Sequence, residues 1–261
     1  MAPLTTTITS LVIGLIAGTF GGILGIGGGL IMIPLMAEVL KLTQHKAHGT
    51  SLVALVFTGI GGAITYASNG SVDITAAALL TVTAVLTAPL GARYSNALTE
   101  KKLKQYFGAF LIFCSVLLLL KPYLTNFIGT VPGYAKIIVL LTTGAFTGFL
   151  SGMMGIGGGM IMIPVMVILT GFTQHVAQGT SLLVIIPTGA IGAFTHWKMG
   201  NIEKGILGSL IPGIILGTYL GGNIAHLIPN DTLRWIFAAV LILVGFRYFR
   251  TSSVASETAI P

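Results

Sequence analysis

The sequence predicts an all-α integral membrane fold of two inverted-topology repeats, each with a glycine-broken helical hairpin followed by three transmembrane helices. Three observations predict this fold. The 261 residues are 54% hydrophobic and only 7% charged, with a mean hydropathy of +0.97, whereas soluble chains carry about 25% charged residues. Apolar runs long enough to cross a bilayer recur along the chain. The second half of the chain also repeats motifs of the first half at a constant offset.

The repeat is clearest in two blocks. Residues 25–36 (GIGGGLIMIPLM) return as residues 155–166 (GIGGGMIMIPVM), and residues 47–52 (AHGTSL) return as residues 177–182 (AQGTSL). Both pairs give an offset of 130 residues, since 155 minus 25 and 177 minus 47 are equal. Two glycine-broken apolar segments at matching positions of two halves are typical of membrane transporters.

Ten apolar runs mark the predicted helices, five in each repeat. In chain order they cover residues 8–25, 29–40, 48–68, 74–97, 104–121, 136–154, 159–170, 178–197, 204–226 and 233–250. The second run of each repeat is too short to cross, because a 12-residue helix rises about 18 Å and the hydrocarbon layer is about 30 Å thick. We expect that run either to fold back against the first as a hairpin or to extend it as a broken helix. The repeats are predicted to cover residues 1–125 and 126–261, within one integrated membrane domain.

Positive charge tests the topology, because cytoplasmic loops of membrane proteins collect Lys and Arg. The hairpin topology puts ten of the thirteen basic residues on one side and three on the other. The ten are Lys41, Lys46, Arg93, Lys101, Lys102, Lys104, Lys198, Lys204, Arg247 and Arg250, and the three are Lys121, Lys136 and Arg234. This bias favours inverted over parallel repeats. It predicts a multi-pass membrane protein with both termini in the cytoplasm.

Composition and motifs exclude several function classes. The net charge of +7 comes from short basic clusters between apolar runs, which argues against nucleic-acid binding. The single cysteine, Cys114, excludes an intrachain disulfide and a zinc motif of paired cysteines. The sequence contains no nucleotide-binding, zinc-protease or serine-hydrolase motif, so we predict no enzyme activity, no cofactor and no metal site. The scarcity of carboxylates in the apolar runs favours an anion over a cation as the ligand.

The glycine blocks are the first candidate site. Consecutive glycines let backbone amides approach a ligand, and the helix that follows directs its positive end to the same place. Close packing of helices through small residues is the alternative, but the same break in both halves favours a transport site. The Gly-Thr-Ser blocks add hydroxyls that either bind the ligand or cap a helix. The predicted substrate-binding residues are Gly25, Gly27, Gly28, Gly29, Thr50, Ser51, Gly155, Gly157, Gly158, Gly159, Thr180 and Ser181.

Six further polar residues are candidate accessory groups. Gln44, His48, Gln174 and Gln178 occupy the short connections before the Gly-Thr-Ser blocks, where solvated loop positions are the simpler interpretation. Tyr66 and its counterpart His196 lie near the ends of two predicted spans. Anchoring at the membrane interface is the favoured interpretation for Tyr66 and for Trp197, the neighbour of His196, and His196 itself is a candidate carrier of a coupling proton.

The duplicated glycine block, followed by the duplicated Gly-Thr-Ser block, resembles the TauE/SafE family of sulfite exporters, also called the 4-toluenesulfonate uptake permease family. The resemblance extends over essentially the whole chain. It implies an integral plasma-membrane protein that transports sulfur-containing anions such as sulfite or organosulfonates, with export as the implied direction. It also implies that the glycine and Gly-Thr-Ser blocks form the substrate region.

These observations together predict an anion transporter that works by alternating access at a midplane site between the two broken hairpins. A passive anion channel and a structural subunit of a larger membrane complex are the alternatives. The predicted partners are a small sulfur oxyanion or sulfonate and the lipid bilayer, with no nucleic acid. The sequence leaves open whether the chain forms a homo-oligomer.

Overall fold

The computed structural model describes residues 4–94, 108–121, 133–155 and 157–254. These residues form ten helices and no strand. The helices are α1 (Leu4–Leu24), α2 (Gly29–Glu38), α3 (Gln44–Ser68), α4 (Ile74–Tyr94), α5 (Gly108–Lys121), α6 (Gly133–Met154), α7 (Gly159–Leu169), α8 (Gln174–Lys198), α9 (Lys204–Leu227) and α10 (Asn230–Val254). The prediction of an all-α membrane protein is confirmed.

Six helices of 21 to 25 residues are long and apolar enough to cross a membrane, namely α1, α3, α4, α6, α8 and α9. The helices α2 and α7 have 10 and 11 residues, so each rises only about 15–17 Å. The helices α3 and α8 begin four residues before their predicted starts. The reason is local capping, since the hydroxyls of Thr43 and Thr173 accept hydrogen bonds from the amides of Lys46 and Val176.

The short helices fold back as hairpins. In the first hairpin, a Cβ atom placed on Gly28 would lie 2.3 Å from the carbonyl oxygen of Ala17, and one on Gly21 would lie 2.7 Å from the amide nitrogen of Gly28. In the second hairpin, a Cβ atom placed on Gly158 would lie 3.1 Å from Cβ of Thr147. The start of α2 therefore lies beside the last turns of α1, and the start of α7 beside α6. Of the two expected geometries, the hairpin is the one observed.

Glycines bring α1 and α9 into direct backbone contact. A Cβ atom on Gly14 would lie 2.3 Å from the carbonyl oxygen of Leu210, and one on Gly22 would lie 2.6 Å from that of Thr218. Residue numbers rise together along this contact, so the two helices run parallel. Their counterparts α6 and α4 pack in the same way through Gly144. Small residues commonly allow such close approach of helices in membranes.

The helices α3 and α8 cross at the centre of the molecule in opposite directions. The side chain of Leu52, near the start of α3, lies 3.2 Å from the Cβ position of Gly192, near the end of α8. Likewise, the side chain of Leu182, near the start of α8, lies 2.7 Å from the Cβ position of Gly62, near the end of α3. These two helices occupy matching places in the chain, 130 residues apart, and they are antiparallel.

The bundle has two faces. Face A holds the starts of α3 and α9 and the end of α8, and there Lys46 pairs with Glu203 at 2.7 Å. Face B holds the end of α3 and the starts of α8 and α10, and there the amide of His175 donates to Oδ1 of Asn230 at 3.1 Å. Because α1 runs parallel to α9 and α2 leads back to the start of α3, the hairpin α1–α2 enters and leaves at face A. The hairpin α6–α7 leads to the start of α8 and belongs to face B.

Candidate substrate site between two glycine loops

The first glycine loop, residues 25–28, has a backbone that only glycine adopts readily. Gly25, Gly27 and Gly28 have φ angles of 70°, 88° and 79°, in the left-handed region where a Cβ atom is strained. The second glycine loop, made of Gly155, Gly157 and Gly158, follows this pattern at its first two glycines, with φ angles of 64° and 83°. Its third glycine, Gly158, has a right-handed φ of −76°. The two repeats therefore differ at this position despite identical sequence.

The two glycine loops touch each other inside the molecule. A Cβ atom on Gly157 would lie 2.8 Å from the carbonyl oxygen of Ile26, and one on Gly159 would lie 2.8 Å from that of Gly25. The glycines of both loops are buried. The tips of the hairpins, which come from opposite faces, thus bring glycine backbone of one loop against the backbone of the other.

The amide groups at the starts of α2 and α7 lack acceptors within their own helices. The first donors inside the helices are the amides of Ile31 and Ile161, each 3.1 Å from the carbonyl oxygen of the third glycine of the loop. The preceding amides carry the partial positive charge of a helix N-terminus. Two such ends converge where the loops meet, and this is an arrangement that favours an anion.

One serine ties each loop to the opposite half of the chain. The hydroxyl of Ser51 donates to the carbonyl oxygen of Gly155 at 2.9 Å, and the hydroxyl of Ser181 donates to that of Gly25. The predicted glycines and serines are therefore brought together, and each serine acts across the boundary between the halves. In this conformation the serine hydroxyls already have acceptors.

The neighbouring threonines support a different part of the fold. The hydroxyl oxygen of Thr50 accepts a hydrogen bond from the amide of Glu203, and that of Thr180 accepts one from the amide of Asp73, both at 2.9 Å. Each amide belongs to the residue just before a membrane helix. The capping interpretation of these hydroxyls therefore describes the contacts observed, with the difference that each threonine caps a helix of the opposite half.

The accessory candidates occupy varied surroundings. Gln44 is exposed and His48 is half-buried. Gln174 and Gln178 are buried, with 2% and 0% of their surface exposed, so the expectation of solvated loop positions is wrong for both. Capping by Thr173 places both glutamines inside α8, and Gln178 packs against Gly25.

Tyr66 and His196 are buried, with 0% and 2% of their surface exposed, whereas Trp197 is 51% exposed. The expectation of interfacial anchoring is therefore wrong for Tyr66. The hydroxyl of Tyr66 donates to the carbonyl oxygen of Gly22 at 2.9 Å and lies 3.1 Å from Oε1 of Gln178. Within the described part of the chain, neither ring nitrogen of His196 makes a hydrogen bond of ordinary geometry.

Two histidines that the sequence did not single out lie beside Tyr66. The rings of His175 and His226 stack at 5.0 Å, and the ring of His226 meets that of Tyr66 edge-on at 4.6 Å. The triplet Thr173-Gln174-His175 repeats Thr43-Gln44-His45 at the same offset of 130 residues, which is a sequence signal for His175. His226 has no such signal. Among the described residues, no group of three His, Cys, Asp or Glu side chains is placed to hold a metal ion.

Comparison with known proteins gives one family. The family model described as "Sulfite exporter TauE/SafE" matches residues 10–248. "Probable membrane transporter protein YunE" of Bacillus subtilis is 30% identical over 264 residues, covering 90% of this chain and 94% of the relative. "Probable membrane transporter protein YdhB" of the same organism is 26% identical, covering 83% and 89%, and "Probable membrane transporter protein MJ0441" of Methanocaldococcus jannaschii is 27% identical, covering 90% and 92%. No solved structure matches the chain.

Proposed function

The chain belongs to the TauE/SafE sulfite exporter family, and from this premise we propose that it transports small sulfur-containing anions, such as sulfite or an organosulfonate, across the plasma membrane. The membrane location follows from the six apolar helices and from relatives named as membrane transporters. The anion, its site and the mechanism are the proposal.

One observation carries the choice of ligand: two helix N-termini meet at two buried glycine loops. The amides at the starts of α2 and α7 can bind oxygen atoms of an anion without a cationic side chain. Arg234 and Arg247 lie near the two ends of α10, so neither guanidinium is at the loops. The proposed site therefore recognises a small anion through backbone amides, the predicted glycines and serines of both repeats, and the buried groups Gln178 and His196 nearby.

Two inverted repeats supply the proposed mechanism. The antiparallel crossing of α3 and α8 supports an inverted arrangement of the halves at residues 1–125 and 126–261, and so do the hairpins entering from opposite faces. In alternating access, one half rocks against the other and exposes the site to one side at a time. The bonds Ser51–Gly155 and Ser181–Gly25 would then form two separate closures, one near each face, that open in turn.

The charge bias supports an orientation with face A in the cytoplasm. Lys46, Lys198 and Lys204 lie at face A, while Lys121 and Lys136 lie at face B. Because cytoplasmic loops collect basic residues, both chain termini are proposed to be cytoplasmic. Export then means movement from face A to face B.

Flux measurements on the purified protein test the proposal. Proteoliposomes would be loaded with sulfite or methanesulfonate, with chloride and sulfate as comparison anions, and efflux would be followed with and without a pH gradient. We expect saturable flux of the sulfur anion that is lost in Gly28→Leu and kept in Gly70→Leu. Gly70 is the matched control because it also has a positive φ of 65°, yet a Cβ atom there meets no atom of the described residues within 4 Å.

Each other outcome has a distinct meaning. Flux that rises linearly with concentration would indicate a passive channel rather than alternating access. No flux of either sulfur anion from folded protein would refute the proposed substrate class.

A further inference from the structure

Two histidine rings stack at face B, where three helices meet. His175 lies at the start of α8 and His226 lies near the end of α9. Their ring centres are 5.0 Å apart, with an angle of 25° between the ring planes. Both residues are half-buried, and neither ring belongs to the proposed anion site at the glycine loops.

The two hydrogen bonds of the His175 ring both end on acceptors. Its Nδ1 lies 2.7 Å from Oδ1 of Asn230, and its Nε2 lies 2.9 Å from the carbonyl oxygen of Ala225. The orientation of the Asn230 amide is fixed by the backbone, because the amide of His175 donates to the same Oδ1 at 3.1 Å. A neutral imidazole has a single N–H group, whereas an imidazolium has two. Only the protonated ring can therefore make both bonds.

The His226 ring has a different set of partners. Its Nδ1 lies 2.7 Å from the carbonyl oxygen of Gly222 and needs a proton to donate there. Its Nε2 lies 3.3 Å from Oγ of Ser71, whose hydroxyl can donate as well as accept a hydrogen bond. A neutral His226 with its proton on Nδ1 satisfies both contacts. The stack then holds one positive charge, which avoids repulsion between two cations.

Protonated His175 fastens the corner between α9 and α10 onto α8. Ala225 lies in the last turn of α9 and Asn230 is the first residue of α10, so the two acceptors stand on either side of the corner. When the ring loses a proton, one nitrogen directs a lone pair at an oxygen atom. That bond is lost, and the ring then holds only one side of the corner.

Two carboxylates at this face have partners of their own. The carboxylate of Asp231, in α10, pairs with Arg234 at 2.9 Å. That of Asp73, just before α4, accepts a hydrogen bond from the amide of Ala76 at 2.8 Å. Both acceptors of the His175 ring are neutral oxygens, which stabilise a cation less than a carboxylate does. The proton on this ring is therefore exchangeable.

The other titratable groups near the pair come from three further elements. Tyr66 of α3 meets the His226 ring edge-on at 4.6 Å. Lys121 and Lys136, at the end of α5 and the start of α6, contact the carbonyl oxygen and the ring of Phe172. Phe172 precedes the first turn of α8, so these ammonium groups and the positive end of the helix oppose a second positive charge on the stack.

We propose that His175 is a reversible proton-binding site and that the bound proton closes a clamp between α8 and the corner of α9 and α10. The ligand is a proton from the aqueous phase at face B. His226 is a positioning residue that stacks on the protonated ring. The clamp is a property of the fold, so it stands whichever anion the chain transports.

Nuclear magnetic resonance of the histidine rings tests this proposal directly, because ring nitrogen shifts distinguish an imidazolium from each neutral tautomer. The chain has five histidines. Protein with isotope-labelled histidine, in phosphatidylcholine nanodiscs, would be titrated from about pH 5 to about pH 8, the range in which imidazoles commonly change charge. We expect the His175 ring to carry two protons at the acid end and one at the alkaline end.

The rings can be assigned in the unmodified chain. His175 and His226 stack closely enough for a nuclear Overhauser contact, and His226 has a second contact with Tyr66. His45 is the counterpart of His175 at face A and is exposed. The variant His45→Gln should therefore remove one signal and leave the titration of His175 unchanged.

Asn230→Ala tests the link between the proton and the corner, because it removes the acceptor of Nδ1. A hydrogen bond to a charged group is strong enough to change proton affinity about tenfold or more. Half-protonation of His175 should therefore require an about tenfold higher proton concentration in this variant. Asn223→Ala is the matched control, since Asn223 is also exposed and its amide donates to Tyr219 of its own helix at 2.7 Å. It should leave the titration unchanged.

The proposal is overturned if the His175 ring of the unmodified chain keeps the same number of protons over the whole pH range. It is also overturned if Asn223→Ala shifts the titration of His175 as much as Asn230→Ala does. The first of these results requires no variant to fold.

Discussion

Substitution of Gly28 by alanine should damage the protein far more than the same change at its counterpart Gly158. Gly28 has a φ of +79°, and its new Cβ atom would lie 2.3 Å from the backbone oxygen of Ala17. Gly158 has a φ of −76°, and its nearest neighbour is the terminal methyl of Met162 at 2.5 Å. A backbone carbonyl held inside a helix cannot move aside, whereas the end of a methionine side chain can.

The expected magnitudes follow from these two environments. At Gly28, a left-handed backbone costs an alanine about 1–2 kcal/mol, and overpacking adds about 1–3 kcal/mol, which gives about 2–5 kcal/mol of destabilisation. At Gly158 the backbone conformation suits alanine, which gains about 0.4–1 kcal/mol from the unfolded state. That gain offsets part of the cost of moving Met162, so the net change should stay within about 1–2 kcal/mol.

Gly70→Ala separates strain from contact, because Gly70 has a positive φ and open space around its Cβ position. It should cost only the strain of about 1–2 kcal/mol. Chemical unfolding of the three variants in detergent, followed by helical circular dichroism, measures the differences. Flux measurements on the same preparations should show a loss for Gly28→Ala that Gly70→Ala does not share. Equal losses of stability at Gly28 and Gly158 would refute the argument from backbone geometry.

Three further outcomes are expected. Tyr66→Phe should lower stability by about 0.5–2 kcal/mol in the same unfolding assay, because it removes a buried hydroxyl near Gln178; an unchanged midpoint would contradict this. Ser51→Ala should reduce the transport flux clearly while it changes the unfolding midpoint little, since it removes one link between the halves. A flux equal to that of the parent protein would argue against a closure there. The hydrogen bond from Lys46 lowers the pKa of the Glu203 carboxyl in the folded protein. The pair should therefore stabilise the fold fully at pH values above the ordinary Glu pKa of about 4.3. This stabilisation should be lost as the pH falls through the lower pKa of the folded state. Both groups are partly exposed, which limits the effect to about 1 kcal/mol, and Glu203→Gln should remove this pH dependence of the unfolding midpoint.

The helices and the glycine loops were predictable because both depend on local properties. Hydropathy locates a span, and a run of three glycines marks a backbone that other residues adopt poorly. The direction of the chain after the break was left open between two geometries, since a break at Gly28 does not specify its packing partner. That partner is Ala17, in the preceding helix.

The environments of Tyr66 and Thr50 depend on residues far away in sequence. Tyr66 is near the end of a span, where exposure is the usual outcome, but Gly22 and Gly222 allow α1 and α9 to pack closely over it. The partner of Thr50 is the amide of Glu203, 153 residues away. Contacts of this kind follow from tertiary packing and have no local signal.

The crossed serine bonds also impose an order on biosynthesis. While only the first half has been made, the hydroxyl of Ser51 has only the carbonyl oxygen of His48 as its acceptor, and the carbonyl of Gly25 lacks its donor, Ser181. Unpaired polar groups are costly in lipid, so the first hairpin reaches its final position only after the second half has inserted. The two halves are therefore one cooperative folding unit, and a truncated first half should remain immature in the membrane and become a substrate for quality-control proteases.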